Sequence, residues 1–261
     1  MSALLAALIL AAAPAAPVRP DAVGDVYRYR SETRYAERTR DDVSAQVNSQ
    51  VFEVQVLAVG AEGLKLRYTL KEATVADTAG PAMKAPLLAT VGIPLEFHVD
   101  RQGLLTSLDN WPAFHDRMLA NIDKALPAGD EVRNIVHQRM DQPPTDAAQD
   151  MVLGDLATLR GVELHGPVMV GRVVSRDFRR RPPSDVVTET SVKTPGCVAR
   201  VVRVATGSSA NITQKTTAEA EVSLKDGRVL SFSQTRVERA GGAVVDERLK
   251  ITRLSAAPGC P

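Results

Sequence analysis

Over most of this chain apolar side chains recur at every second residue, and in one central stretch they recur at every third or fourth. That change of period constrains the fold more than any other feature. A period of two belongs to a strand with one buried face, and a period near 3.6 to a helix with one buried stripe. In Leu64-Lys65-Leu66-Arg67-Tyr68-Thr69-Leu70-Lys71 the even positions are apolar and the odd ones polar. Phe52, Val54 and Val56 alternate in the same way, as do Ile93, Leu95, Phe97 and Val99. Gly60 and Gly63 supply hairpin residues between the first two runs, and Asp100-Arg101-Gln102-Gly103 turns the next one back into Leu104-Leu105.

Upstream, Asp25 to Tyr35 places Tyr27, Tyr29, Ser31, Thr33 and Tyr35 on one face and Arg28, Arg30, Glu32 and Arg34 on the other. The arginine series Arg28, Arg30, Arg34, Arg38 and Arg40 is interleaved with Glu32, Glu37, Asp41 and Asp42, so cross-strand ion pairs are expected to absorb it. An extended run from Val43 to Ala58 changes apolar parity between Val51 and Phe52, and a β-bulge there would restore the inward face.

From Asn110 to Gly161 the period is helical. Trp111, Phe114, Met118, Ile122 and Ala125 form one stripe, Asp109 or Asn110 is placed to cap it, and Pro112 sits in its first turn. A second helix is predicted from Asp130 to Met140 with Val132, Ile135 and Val136 inward. A third, capped by Thr145, would bury Ala148, Val152, Leu156 and Leu159 and stop at Gly161. Strands then return at Val168 to Val174, Val186 to Val192, Val198 to Ala205, Ile212 to Leu224, Val229 to Glu238 and Val244 to Leu254. Lys225-Asp226-Gly227-Arg228 and Gly241-Gly242 supply hairpin turns, and the recurrence of Glu62-Gly63, Gln102-Gly103 and Asp226-Gly227 is what a distant internal duplication would leave.

The fold class is therefore mainly β (α+β): long antiparallel strands in a curved sheet or open barrel, with a two- to three-helix insertion at about 110–161. A single domain over 17–261 is expected, since that length buries a sizeable core.

Residues 1–16, MSALLAALILAAAPAA, carry no charged side chain and end in small residues, the pattern of an export signal cleaved after Ala15 or Ala16. The apolar run from Ala3 to Ala13 is about half of the ~20 residues a membrane-spanning helix needs, so no transmembrane anchor is expected after cleavage. A periplasmic or secreted location follows. Cys197 and Cys260 are the two cysteines, and in an oxidising compartment they are expected to form a disulfide. A net charge of +1 with acids and bases interspersed excludes the broad positive field of a nucleic-acid binder.

Motifs for chemistry are sparse. His98, His115, His137 and His165 are scattered without metal-site spacing, no serine stands in G-x-S-x-G, and Asp146, Asp150 and Asp155 recur on a helix whose dipole accounts for the first. No catalytic residue, metal or cofactor is assigned, and the protein is expected not to be an enzyme. The densest basic segment is Arg176-Asp177-Phe178-Arg179-Arg180-Arg181-Pro182-Pro183, read as a loop between strands. Arg176, Arg179, Arg180 and Arg181 there are candidates for holding phosphate or carboxylate. Trp111, Phe114 and Met118 are candidate ligand contacts, although their spacing equally suits the core.

The export-type start, the long antiparallel strands, the central helices and the closing K-D-G-R hairpin followed by Val244 to Leu254 resemble secreted bacterial proteins of unassigned function. The pattern is also similar to the unclosed β-barrel with a helical plug of periplasmic lipoprotein carriers. That resemblance implies a concave apolar sheet face partly covered by helices. The leading expectation is a non-catalytic envelope protein binding an apolar or amphipathic ligand, such as a lipid, between sheet and helices; a large cavity there would favour it and a solid core would not. The alternative is a structural or interaction module that meets a protein or polyanion through strand edges or the arginine loop 176–183. A hydrolase with a site invisible in sequence is a third class, and it requires a cleft with at least two perturbed titratable groups.

Overall fold

The alternating segments fold as strands of a single antiparallel sheet in a computed structural model that describes residues 20–77, 84–164, 168–178, 182–193 and 197–255. The first half contributes β1 (Val26–Arg38), β2 (Val43–Gly60), β3 (Gly63–Asp77), β4 (Pro94–Asp100) and β5 (Leu105–Leu108), with the short helix α1 (Ala85–Leu88) before β4. Four helices follow: α2 (Trp111–Ala125), α3 (Glu131–Met140), α4 (Pro144–Met151) and α5 (Gly154–Arg160). The second half contributes β6 (Gly171–Asp177), β7 (Ser184–Lys193), β8 (Val198–Ser208), β9 (Ile212–Ser223), β10 (Val229–Ala240) and β11 (Ala243–Arg253).

The sheet order is β5-β4-β3-β2-β1-β11-β10-β9-β8-β7-β6. The chain starts at the centre, meanders to one edge, crosses through the helices to the other edge, and meanders back until β11 pairs with β1. A direct duplication would repeat one direction of travel; here the first half runs outward and the second inward. The sheet is curved but unclosed, because its edges β5 and β6 do not pair.

Register sets the inner face. Tyr29 lies opposite Phe52, which lies opposite Leu70, with Tyr68 and Val54 one step along. The rings of Tyr29, Phe52 and Tyr68 stack at centroid separations of 5.5 and 5.4 Å. Against this face the stripe of α2 packs as its period predicts through Trp111, Phe114, Met118 and Ile122, all buried, but Ala125 is exposed and Leu126, just past the helix, is buried instead. Phe114 is 1 % exposed and Met118 0 %. Burying side chains of this size contributes about 1.5–3 kcal/mol each.

Several expectations are corrected in detail. The bulge at Val51/Phe52 exists, but the extra residue is Lys71 on the facing strand, and β2 keeps one parity until Leu57. The apolar Val43 and Val47 therefore point to the outer face and are 56 % and 42 % exposed. Asn110 precedes α2 without capping it: its side chain accepts from Glu96 N at 2.8 Å and donates to Pro94 O at 3.0 Å, tying the helix start to β4. Asp130 does cap α3, accepting from Val132 N and Arg133 N, while Ile135 faces solvent. The predicted third helix is two, since the chain leaves helical geometry at Val152 and restarts at Gly154. The break rotates Leu153 fully into the core, Val152 packs against it only partly buried, and Thr145 lies inside α4 rather than at its cap.

Gly63 is the glycine whose role is plainest. Its φ is +149°, and a Cβ there would stand 2.0 Å from Val99 O, so only hydrogen fits where β3 starts against β4.

Candidate functional site

The inner face is not uniform. On β1 to β4 it is filled by large side chains such as Tyr29, Phe52, Leu66 and Phe97, whereas β8 and β9 present Ala199, Ala205, Ala218 and Ala220. Large residues meet the helices and close the core on the first half; alanines leave room on the second. Helix α5 lies in that transition. Leu156 and Leu159 anchor it in the core, and its outward side carries Ala157 and Thr158.

Open space remains on both sides of α5. Toward β8, β9 and β10 a space of about 160 Å³ is lined by Ala205, Thr216, Ala218, Phe232 and Gln234, with Arg203 at its wall. Toward β4 and β5 a second space of about 350 Å³ is lined by Phe97, Val99, Leu105, Leu153 and Leu156, with Gln149 and Arg160 beside them. Ala157 and Gly161 border both, so one short helix separates them. The hydroxyl of Thr216, a residue 5 % exposed, is buried without a hydrogen-bond partner among the described residues.

Two polar fastenings hold α5. At its start Asp155 accepts a hydrogen bond from Gln50 of β2, with the Ser31 hydroxyl of β1 close by. Burial raises the Asp155 carboxyl above the usual range, and the neighbouring Ser31 and Gln50 offset part of the rise. Just beyond its end lies a buried ion cluster. Arg160 Nη1 donates to Glu163 Oε2 at 2.7 Å, Arg228 Nη1 donates to the same oxygen at 2.5 Å, and Arg228 Nη2 reaches Asp21. Arg253 Nη1 donates to Asp226 Oδ2 at 2.7 Å, and the guanidinium groups of Arg228 and Arg253 lie 4.7 and 5.2 Å from the centroid of the Tyr27 ring. Burial alone would lower the pKa of Arg228, but Glu163 and Asp21 hold it well above the ordinary arginine value.

Reading for motifs missed this cluster entirely. Asp226 and Arg228 look like turn polarity in K-D-G-R, yet both are buried. One signal was present: Arg253 follows Leu249 and Ile251 on the inward parity of β11. A charge in register with core residues requires a buried partner.

The residues singled out in the sequence scatter. Trp111, Phe114 and Met118 pack in the core and line neither space beside α5. The expected single cavity between sheet and helices is, at those residues, solid. Arg176 belongs to β6 rather than to a loop, lies 3.6 Å from Asp185, and stacks over Phe178 at 5.7 Å. Arg179, Arg180, Arg181, His165 and Cys260 lie outside the described residues. Cys197 starts the approach to β8, where its carbonyl accepts from Leu224 N at 2.9 Å. His98, His115 and His137 each face an aspartate, Asp109, Asp116 and Asp123 in turn.

Among the described residues no group of three or more His, Cys, Asp or Glu is arranged to hold a metal, and no helix is long and apolar enough to cross a membrane. No protein-family model matches this sequence, and no curated protein does so either. Among solved structures the chain is similar to lipovitellin, in a structure concerned with lipid–protein interactions, at 9 % identity and a TM-score of 0.57. The match covers 92 % of this chain and 26 % of that one, so the chain spans about a quarter of lipovitellin's length. DynF of the dynemicin biosynthesis pathway of Micromonospora chersina aligns over 93 % of this chain and 86 % of its own at 8 % identity, but with a TM-score of 0.22 it carries no structural argument. What this chain and that segment of lipovitellin have in common is a fold, a large curved antiparallel sheet.

Proposed function

We propose that this protein is a non-catalytic exported binder of an apolar or amphipathic ligand, which it takes up on the inner face of the sheet beside α5. The observation that carries the reading is the pair of spaces separated only by that helix, with alanine, leucine, valine and phenylalanine walls. The larger reaches the ~300–1,000 Å³ range of small-molecule sites. The lining mixes carbon surface with a hydroxyl, amides and guanidinium groups, which suits a chain with one polar end. Lipovitellin, with the same kind of sheet, interacts with lipid, and the sequence pattern of periplasmic lipoprotein carriers points the same way. Export in this reading removes residues 1–16 and pairs Cys197 with Cys260, fastening the chain end beside the β9–β10 turn.

Native mass spectrometry of protein secreted to the periplasm and purified without detergent tests this, followed by organic extraction. A stoichiometric amphiphile is expected, and Ala157→Trp, which fills the border of both spaces, is expected to exclude it while the fold is kept. A clean apo mass from the unaltered chain, with no uptake of added fatty acid or phospholipid, overturns the reading. The same spectrum weighs the disulfide, which makes the chain two hydrogens lighter.

One observation favours a second reading, an interaction module. Edge strand β6 is exposed on both faces, with Val173 and Val174 63 % and 64 % exposed, and Phe178 just beyond its end is 74 % exposed. An edge of that kind pairs readily with a strand of another protein.

A further inference from the structure

On the side of the sheet that faces away from the helices, the far ends of β2, β1, β11 and β10 form a groove of about 550 Å³. Register explains its shape. One row across the strands reads Val43, Arg38, Val244, Arg239, and a parallel row four residues along reads Val47, Arg34, Arg248. Between them Ala45 and Ala36 lie side by side, too short to fill the space between two rows of longer side chains. The result is an apolar floor, with Val43 more than half exposed, walled by four guanidinium groups.

Those charges are not balanced within the fold. Asp246 is the one carboxylate among the described lining residues, and Arg248 takes it at 3.1 Å. Arg34, Arg38 and Arg239 make no ion pair among the described residues. Arg34 stands directly opposite Arg248 in the β1–β11 ladder, a like-charge pairing that costs stability rather than adding to it. Among the described residues the cross-strand ion pairs expected for this arginine series are limited to Arg28, 3.6 Å from Glu72, so the expectation fails where the groove begins.

We propose that this groove docks the protein on an anionic lipid bilayer. The arginine rows are about 13 Å apart along the strands, and Arg38 and Arg239 stand two strands, about 10 Å, apart. That spread suits several headgroup charges side by side rather than one deeply held anion. The exposed valines supply the apolar contact that a headgroup layer accepts and a soluble polyanion does not use. Electrostatic attraction at such a surface amounts to about 1 kcal/mol per arginine and falls with salt.

The test is co-sedimentation of the full chain with vesicles of phosphatidylcholine alone and of phosphatidylcholine mixed with phosphatidylglycerol. Binding is expected to the mixed vesicles only and to weaken at high salt. Arg34→Gln with Arg239→Gln is expected to reduce partitioning ~25-fold, about fivefold per charge. Val43→Ser with Val47→Ser is expected to weaken it without changing the salt dependence, and far-UV circular dichroism checks that each variant is folded. The proposal is overturned by equal binding to both vesicles, by tight binding to heparin with none to vesicles, or by binding that survives the groove variants and disappears with Arg179→Gln, Arg180→Gln and Arg181→Gln.

Discussion

The two ends of the central strands use arginine in opposite ways. At one end Arg228, Arg253 and Arg160 are buried, and Glu163, Asp226 and Asp21 meet them within hydrogen-bond distance. At the other end Arg34, Arg38 and Arg239 stand on the outer surface and make no ion pair among the described residues. The inner face changes along the same axis. Tyr27 and Tyr29 of β1 are core, whereas Tyr35 and Glu37 are partly exposed and hydrogen-bond to each other at 3.1 Å. Beyond the reach of the helices the sheet carries polar groups inside and apolar and cationic groups outside. A guanidinium surrounded by carboxylates is committed to the fold, and one without them remains able to meet an external anion.

The largest expected effect breaks the buried end. Arg228→Ala leaves Glu163 and Asp21 short of a partner and is expected to cost about 3–5 kcal/mol in urea denaturation. Arg239→Ala at the open end is expected to stay within about 0.5 kcal/mol. Equal losses would remove the distinction between the two ends.

Backbone strain comes next. Gly63→Ala forces a side chain into the β3–β4 contact at a left-handed φ and is expected to lower stability by ~1–3 kcal/mol. Thermal unfolding measures it, and an unchanged Tm would show that the strand start relaxes.

Asp155 tests the fastening of α5 through pH. Its carboxyl pKa is raised in the folded protein, so the folded state holds this proton more tightly than the unfolded chain does. The stability it contributes is complete below the unfolded value, near pH 4, and is lost as pH rises through the higher folded value. Asp155→Asn keeps a carbonyl that can accept from Gln50 and is expected to flatten that part of the stability–pH curve and to raise Tm at neutral pH. A curve identical to that of the unaltered chain would place the ionisation elsewhere.

The smallest effect has the opposite sign from the first. Arg34→Gln relieves the like-charge pair with Arg248 and is expected to stabilise the protein by ~0.2–1 kcal/mol at low salt, less at high salt. One arginine replacement that stabilises, beside another that unfolds, would sharpen the comparison as far as stability measurements can.

Local pattern determined a large share of this protein. The alternation of Leu64, Leu66, Tyr68 and Leu70, the stripe Trp111, Phe114, Met118, Ile122, and the Gly241-Gly242 turn, with φ of +55° and +89°, each express a backbone geometry within a few residues, and each stands in the fold as read. Tertiary structure decided what those elements meet. The split at Val152–Gly154 arises because one straight helix could not turn Ala147 and Ala148 of α4 and also Leu153 and Leu156 into the core, since together they would spread over about 240° of its circumference. Arg228 becomes a buried ion because the segments after α5 and before β1 bring Glu163 and Asp21 onto the hairpin from 65 and 207 residues away in sequence, and Asp226 does because β11 brings Arg253 to it. Arg34 makes no ion pair among the described residues because the register of β1 sets Val47 and Arg248, not acids, beside it. Periodicity is a property of neighbours along the chain. Partnership is a property of neighbours in space, and in a sheet whose first strand pairs with its last, those neighbours lie as far apart in sequence as the chain allows.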